Sequence, residues 1–106
     1  MSVPSYGVLV LGAGWVSAQH VAAYERNPHT RVLAICDCSI DKAQRRAAEA
    51  GLSGVTCYDD PRQALAHPSV DVVSICTPQH VHCRHVLAAA EAGKHMIIEK
   101  PVGISL

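Results

Sequence analysis

Phenylalanine is absent from this chain, and one tryptophan with three tyrosines brings the aromatic share to only 4% of 106 residues. The core must therefore be built from Val, Leu, Ile, Ala and Cys. An excess of charge of either sign is missing too, since nine basic side chains balance nine acidic ones. That leaves no electrostatic footprint for nucleic acid or for an anionic membrane. No apolar run approaches the length that spans a bilayer. The opening Met-Ser-Val-Pro-Ser has neither the basic start nor the long apolar region of a signal peptide. The cysteines number five, an odd count, and Cys36, Cys76 and Cys83 lie inside apolar segments. Buried free thiols in a reducing cytoplasm fit that usage better than a disulfide framework. Internal repeats and low-complexity linkers are lacking as well. What remains, 49% hydrophobic and 17% charged, is the composition of one neutral globular domain over residues 1–106.

Against this background one stretch stands out, Tyr6-Gly7-Val8-Leu9-Val10-Leu11-Gly12-Ala13-Gly14-Trp15-Val16-Ser17. A β-prone apolar run enters a glycine pair and leaves into a pattern that suits a helix. Strand, tight turn and helix start are the parts of a phosphate-cradling loop. Gly12 permits the turn, and Gly14 lets the backbone approach a pyrophosphate with no Cβ in the way. Ser17 occupies the third position of the G-x-G-x-x-G/A pattern, where strand and helix pack closely. Taken alone, the motif serves a nucleotide loop and an ordinary βα turn equally well.

The rest of the chain alternates strands with helices. Strands are expected at Tyr6–Leu11, Arg31–Cys36, Val55–Tyr58, Asp71–Cys76 and His95–Ile98. Tyr6–Leu11 lacks polar alternation, as a parallel strand buried on both faces does. The first helix runs from Trp15 to Arg26 and stops before Pro28. Ser39 caps a second, with Asp41 in its first turn, Ala43, Ala47 and Ala50 at helical spacing and Gly51 as its stop. Asp60-Pro61 opens a short third helix through Ala66, and a fourth spans His80 to Ala92. This alternation predicts an α/β, doubly wound parallel sheet with right-handed crossovers and strand order 3-2-1-4-5. Its ligand crevice lies at the carboxyl ends of strands one and four.

Asp37 ends the second strand 23 residues after Gly14. An acidic side chain there can accept hydrogen bonds from adenosine ribose hydroxyls, although a capping or turn aspartate looks the same in sequence. Loop and Asp37 together favour a dinucleotide. A carboxylate repels a 2′-phosphate and Cys38 supplies no cation, so NAD is preferred over NADP. Lys42, Arg45 and Arg46 lie close enough to keep NADP open. The histidines and cysteines also invite a metal reading, through His80, His82, Cys83 and His85. Their spacing does not match a closed zinc site, and no metal is expected.

Three further segments carry a resemblance: Cys76-Thr77-Pro78-Gln79-His80-Val81-His82, Ala92-Gly93-Lys94-His95 and Glu99-Lys100-Pro101. With the glycine loop, their spacing resembles the amino-terminal Rossmann domain of the glucose–fructose oxidoreductase and inositol dehydrogenase family (Gfo/Idh/MocA) over essentially the whole chain. Two departures are Gln79, where asparagine is common, and Ser17.

The resemblance implies an NAD(P)-dependent dehydrogenase acting on a sugar, polyol or related hydroxyl compound. Gly12, Ala13, Gly14, Trp15, Val16, Asp37 and Cys76 would then bind the cofactor. Thr77, Pro78 and His82 would lie on its nicotinamide side, and Glu99 on the nicotinamide ribose. Lys100 would be the catalytic residue beside the substrate hydroxyl, aimed by Pro101; an ammonium there stabilises a developing alkoxide. His20 also matches a histidine common in the family. The resemblance further implies a second, substrate-binding domain beyond strand five, absent from this chain. The fragment alone is thus expected to be inactive, with strand five's edge exposed, and the intact protein to be a homo-oligomer. A stand-alone dinucleotide-binding regulatory module is the alternative, and Glu99-Lys100-Pro101 argues against it.

Overall fold

A computed structural model describes residues 5–77 and 79–98, without the side chains of Trp15 and residues 79–83. Strands and helices alternate as β1 (Tyr6–Leu11), α1 (Trp15–Arg26), β2 (Thr30–Cys36), α2 (Ile40–Glu49), β3 (Thr56–Tyr58), α3 (Pro61–Leu65), β4 (Val70–Ile75), α4 (Gln79–Glu91) and β5 (His95–Ile98). The strands form one parallel sheet in the order β3-β2-β1-β4-β5, the expected topology. β1 is central, so both of its faces are covered, and Val8, Leu9, Val10 and Leu11 are buried. That is the reason its sequence shows no polar alternation.

Side chains alternate across β1 into two separate cores. Leu9 and Leu11 pack with Cys36, Leu65, Val73, Ile75 and Ala89 under α3 and α4. Val8 and Val10 pack with Val21, Val32, Ile35, Ala43 and Ala47 under α1 and α2. The small alanines of α2 allow that helix to lie close to the sheet, within reach of the start of α1 through Arg46. Full burial of each Leu or Val stabilises by about 1.5–3 kcal/mol relative to exposure.

Element limits differ by one residue from the apolar runs at several ends. Thr30 and Val70 join their strands because Tyr6 pairs with Thr30 and Gly7 with Val70. Val55 and Cys76 fall just outside β3 and β4, and α3 and α4 each end one residue earlier than expected. Frayed ends of this size are ordinary. The caps are as read: Ser39 Oγ accepts from the Lys42 N–H at 3.4 Å, and an Asp60 carboxylate oxygen from the Arg62 N–H at 2.9 Å. Lys94 of the Ala-Gly-Lys-His segment has a structural task. Its Nζ donates to the carbonyls of Val70, 2.6 Å away, and His67, 3.3 Å away, pinning the connection between α4 and β5 to the start of β4 and the turn before it.

β5 is an edge of the sheet among the described residues, and Ile97 and Ile98 on it are exposed, as is Leu87 of α4. No helix among the described residues is long and apolar enough to cross a membrane.

Candidate functional site

The carboxyl ends of β2, β1 and β4 are laced together by short backbone bonds. The Gly12 N–H donates to the Cys36 carbonyl and the Cys76 N–H to the Leu11 carbonyl, each at 2.7 Å. Gly12 has φ +97°, in the region that favours glycine. A Cβ there would stand 2.9 Å from the carbonyl carbon and oxygen of Cys76 and 3.0 Å from the Thr77 nitrogen. So the first glycine serves twice, turning the chain and letting it pass against the backbone that leaves β4.

Gly14 differs in kind. Its φ of −69° and ψ of 179° are extended angles that other residues adopt, and it is the N-cap of α1. A Cβ on Gly14 would meet nothing within 4 Å. The space in front of it is open, and among the described residues no side chain caps α1 and no acidic residue stands in its first turn. α2 and α3, by contrast, have their caps. An uncapped helix start reached through a bare glycine is a place for an anion.

Asp37 holds this loop from the neighbouring strand end. One carboxylate oxygen accepts the Ala13 N–H at 2.8 Å and the other the Ser39 N–H at 2.9 Å. The carboxylate is half-buried and sits beside the glycine turn. Each oxygen accepts one of these bonds and keeps further acceptor capacity.

Ser17, in place of the third glycine, is fully buried. Its hydroxyl donates to the Gly14 carbonyl at 2.5 Å and accepts from Arg46 Nε at 3.1 Å. Arg46 also donates to the Gly14 carbonyl at 3.4 Å and pairs with Glu49 at 3.0 Å. The guanidinium thus latches α2 onto the start of α1. This contact joins residues 29 apart, and no local pattern announces it.

Across the crevice, Thr77 leaves β4 with its hydroxyl 2.9 Å from His85 Nδ1 on α4. Nearby, the Tyr24 hydroxyl donates to Ser74 Oγ at 2.9 Å, and the His20 ring lies 6.4 Å from that of Tyr24. Burial, and secondarily the carboxylates of Asp37, Asp60 and Asp59, push the Cys36 thiol up to about 12. It is therefore a core thiol without nucleophilic character.

The structure brings together Gly12, Ala13, Gly14, Asp37, Cys76 and Thr77 at one end of the sheet, with Val16 in the first turn of α1. Trp15 and His82 belong to α1 and α4, but their side chains are not described. Pro78, Glu99, Lys100 and Pro101 lie outside the described residues. Among the described residues no three of His, Cys, Asp or Glu gather to hold a metal ion. Of the histidine–cysteine set, His80, His82 and Cys83 have undescribed side chains and His85 is engaged with Thr77.

Comparison with known proteins bears on the same site. A family model described as Oxidoreductase family, NAD-binding Rossmann fold (GFO_IDH_MocA) matches residues 6–106. D-glucoside 3-dehydrogenase of Escherichia coli (strain K12) is 38% identical over 95 residues, which are 89% of this chain and 26% of that protein. The structure of myo-inositol dehydrogenase from Lactobacillus casei in complex with NAD(H) and myo-inositol superposes with a TM-score of 0.84 at 25% identity, covering 92% of this chain and 29% of that one. That of a 3-ketoreductase from Actinomadura kijaniata, a Y186F mutant in complex with TDP-benzene and NADP, gives 0.83 at 28% identity, covering 92% and 30%. The chain therefore spans about a quarter of the length of the curated relatives it matches, 26% and 28% for two of them.

Proposed function

The chain belongs to the Gfo/Idh/MocA oxidoreductase family, whose NAD-binding Rossmann domain it matches over residues 6–106, and from that premise we propose that it is the cofactor half of a sugar or polyol dehydrogenase. The observation that carries the proposal is the pairing of an architectural Gly12, packed on the Cys76–Thr77 backbone, with an open Gly14 at an uncapped helix start. That arrangement is costly to build for an ordinary βα turn and is suited to a pyrophosphate.

When bound, the nicotinamide cofactor accepts or supplies the hydride. The N–H groups of the first turn of α1 would hold the pyrophosphate, and Asp37 would offer its remaining lone pairs to ribose hydroxyls. Thr77, steadied by His85, would line the nicotinamide side, and the resemblance puts Pro78 and His82 with it. By the family resemblance, Glu99 would contact the nicotinamide ribose. Lys100, set by Pro101, would hold its ammonium against the substrate hydroxyl, orienting it and stabilising the alkoxide that forms as the proton leaves. A second domain beyond residue 106 supplies most of the substrate pocket, and the assembled protein is a cytoplasmic homo-oligomer. The named activities of the relatives, on a D-glucoside and on inositols, point to a cyclic polyhydroxyl substrate.

The test is Lys100→Met in the full-length polypeptide, assayed with NAD against myo-inositol and a D-glucoside. Turnover falls by a factor of about 10² or more, as expected when a positioned proton-transfer group is lost, while NAD affinity stays within twofold. Unchanged turnover removes Lys100 from the reaction, and a parent protein that fails to bind NAD overturns the proposal.

A further inference from the structure

β5 is the strand with the least burial to hold it, and its sequence runs on into Glu99-Lys100-Pro101. Among the described residues it pairs with β4 alone. None of its residues is fully buried: His95, Ile97 and Ile98 are exposed, and Met96 is half-buried against the core under α4. A short edge strand without a buried face specifies its own register weakly. A slip of one residue moves its end by about 3.3 Å and turns every side chain to the other face. Something other than β5's own packing must therefore set its register.

Lys94, the residue just before the strand, is held from two sides. Its backbone closes α4 together with Gly93, which has φ +73°. The N–H groups of Gly93 and Lys94 donate to the Ala90 and Ala89 carbonyls, each at 3.0 Å. Ala89 is fully buried, so the Lys94 backbone is tied to the core side of α4. The side chain reaches the other way, and Nζ donates to the Val70 carbonyl at 2.6 Å and the His67 carbonyl at 3.3 Å. Both are charge-assisted bonds to backbone, which cannot rotate aside. From this clamp β5 runs with His95 beside Val72 and Ile98 beside Ile75, and Ile75 in turn lies beside Leu11. Ile98 is thus level with the two strand ends that lead into Gly12 and Cys76.

We propose that Lys94 is a positioning residue for the reaction: its clamp on the start of β5 fixes the register that delivers Lys100 to the nicotinamide end of the cleft. The inference rests on the role given to Lys100 above and goes beyond it by assigning a second lysine, at the other end of the same strand, to that role. Lys100 follows Lys94 by six residues, and four of the residues between them are β5. An extended strand has no slack along its axis, so a shift at its start is passed to its end. A misplacement of about 1 Å at a reacting group costs about 10²-fold in rate. Gly12, Ala13 and Asp37 are held by bonds among β1, β2, β3 and β4. The grip on the dinucleotide is therefore separate from the clamp.

The experiment is acetylation of the full-length polypeptide by acetic anhydride at low conversion, with and without saturating NAD. Peptide mass spectrometry reads the labelling rate at Lys100. In the parent, NAD slows that labelling by about fivefold or more, because the ammonium lies against the nicotinamide. Lys94→Met keeps the apolar stem and loses the donors; its NAD affinity stays within about twofold of the parent's while the protection of Lys100 is lost. Lys94→Arg, whose fork offers a donor to each carbonyl, restores the protection. Turnover gives a second readout: Lys94→Met lowers kcat per NAD-binding site by about tenfold or more in the parent, and by less than about twofold in the Lys100→Met background. Full protection in Lys94→Met, or an equal loss of kcat in both backgrounds, overturns the inference and leaves the Lys100 reading standing. A parent whose Lys100 gains no protection from NAD overturns that reading and this inference with it. Should Lys94→Met lose NAD binding together with its fold, Lys94→Gln, which keeps one side-chain amide to donate, takes its place: partial protection supports the clamp and full protection overturns it.

Discussion

Alanine at Gly12 and alanine at Gly14 are the same chemical change two residues apart, and they are expected to fail in opposite ways. At Gly12 the added Cβ meets the Cys76 carbonyl group at 2.9 Å and the Thr77 nitrogen at 3.0 Å, with φ held at +97°. Left-handed backbone costs a non-glycine residue roughly 1–2 kcal/mol. Overpacking against a rigid neighbour adds about 1–3 kcal/mol, and here the neighbour is backbone, which cannot rotate aside. A loss of about 3 kcal/mol is a large part of the roughly 5–15 kcal/mol that holds a domain of this kind. With a urea m-value of about 1.5 kcal/mol/M, the midpoint of unfolding drops by about 2 M. At Gly14 neither penalty applies, since φ is −69° and nothing lies within 4 Å. Gly14→Ala should leave stability within about 1 kcal/mol of the parent, because the narrower unfolded ensemble of alanine and the preference for glycine at an N-cap oppose each other. Its effect falls on the ligand: a methyl group now stands where a pyrophosphate must touch backbone, and NAD affinity drops at least tenfold. Urea unfolding followed by circular dichroism, with calorimetric NAD titration of the same samples, reads both quantities. A Gly12→Ala protein within about 1 kcal/mol of the parent refutes the packing argument. A Gly14→Ala protein with full NAD affinity refutes the phosphate role of that glycine.

Two further outcomes follow from the same geometry. Ser17→Ala removes a buried hydroxyl that both donates to Gly14 and accepts from Arg46, and should cost about 1–2 kcal/mol in urea unfolding; a neutral result would mean that the Arg46 latch contributes nothing. Cys36 contributes a pH dependence whose sign is set by its raised pKa. The folded state keeps the thiol protonated up to about 12 against an ordinary value of 9.0, so its stabilising share is complete below 9 and is lost as pH climbs toward 12. Cys36→Ala should show a shallower alkaline decline in unfolding midpoint than the parent, and parallel curves would contradict the buried-thiol assignment.

The alternation of apolar runs with capped helices was enough to define five strands, because each run carries its own local signals, and the rule of right-handed crossovers in a doubly wound sheet supplied their order. Asp60-Pro61, Ser39 and the unbroken apolar stretch from Val8 to Leu11 report their structures without needing distant partners. The glycine loop and Asp37 were legible for a related reason, since spacing along a βαβ unit translates directly into spacing at the sheet's edge. The contacts that finish the site were not legible. Arg46 reaches Ser17 across 29 residues, and Thr77 meets His85 across a turn of α4. Lys94, part of a segment that resembles a family signature, turned out to bind the carbonyls of His67 in the α3–β4 turn and of Val70 at the start of β4.

By itself, then, the sequence determined the architecture and the family, because hydrophobic period, caps and motif spacing are local properties that survive being read one segment at a time. Which of two glycines is structural and which faces the ligand was decided only by the tertiary structure. The difference lies in what surrounds each Cα: the backbone leaving β4 beside Gly12, and empty space before Gly14. The same holds for Arg46, which is merely a basic residue of α2 until the packing of Ala43 and Ala47 sets that helix beside the loop.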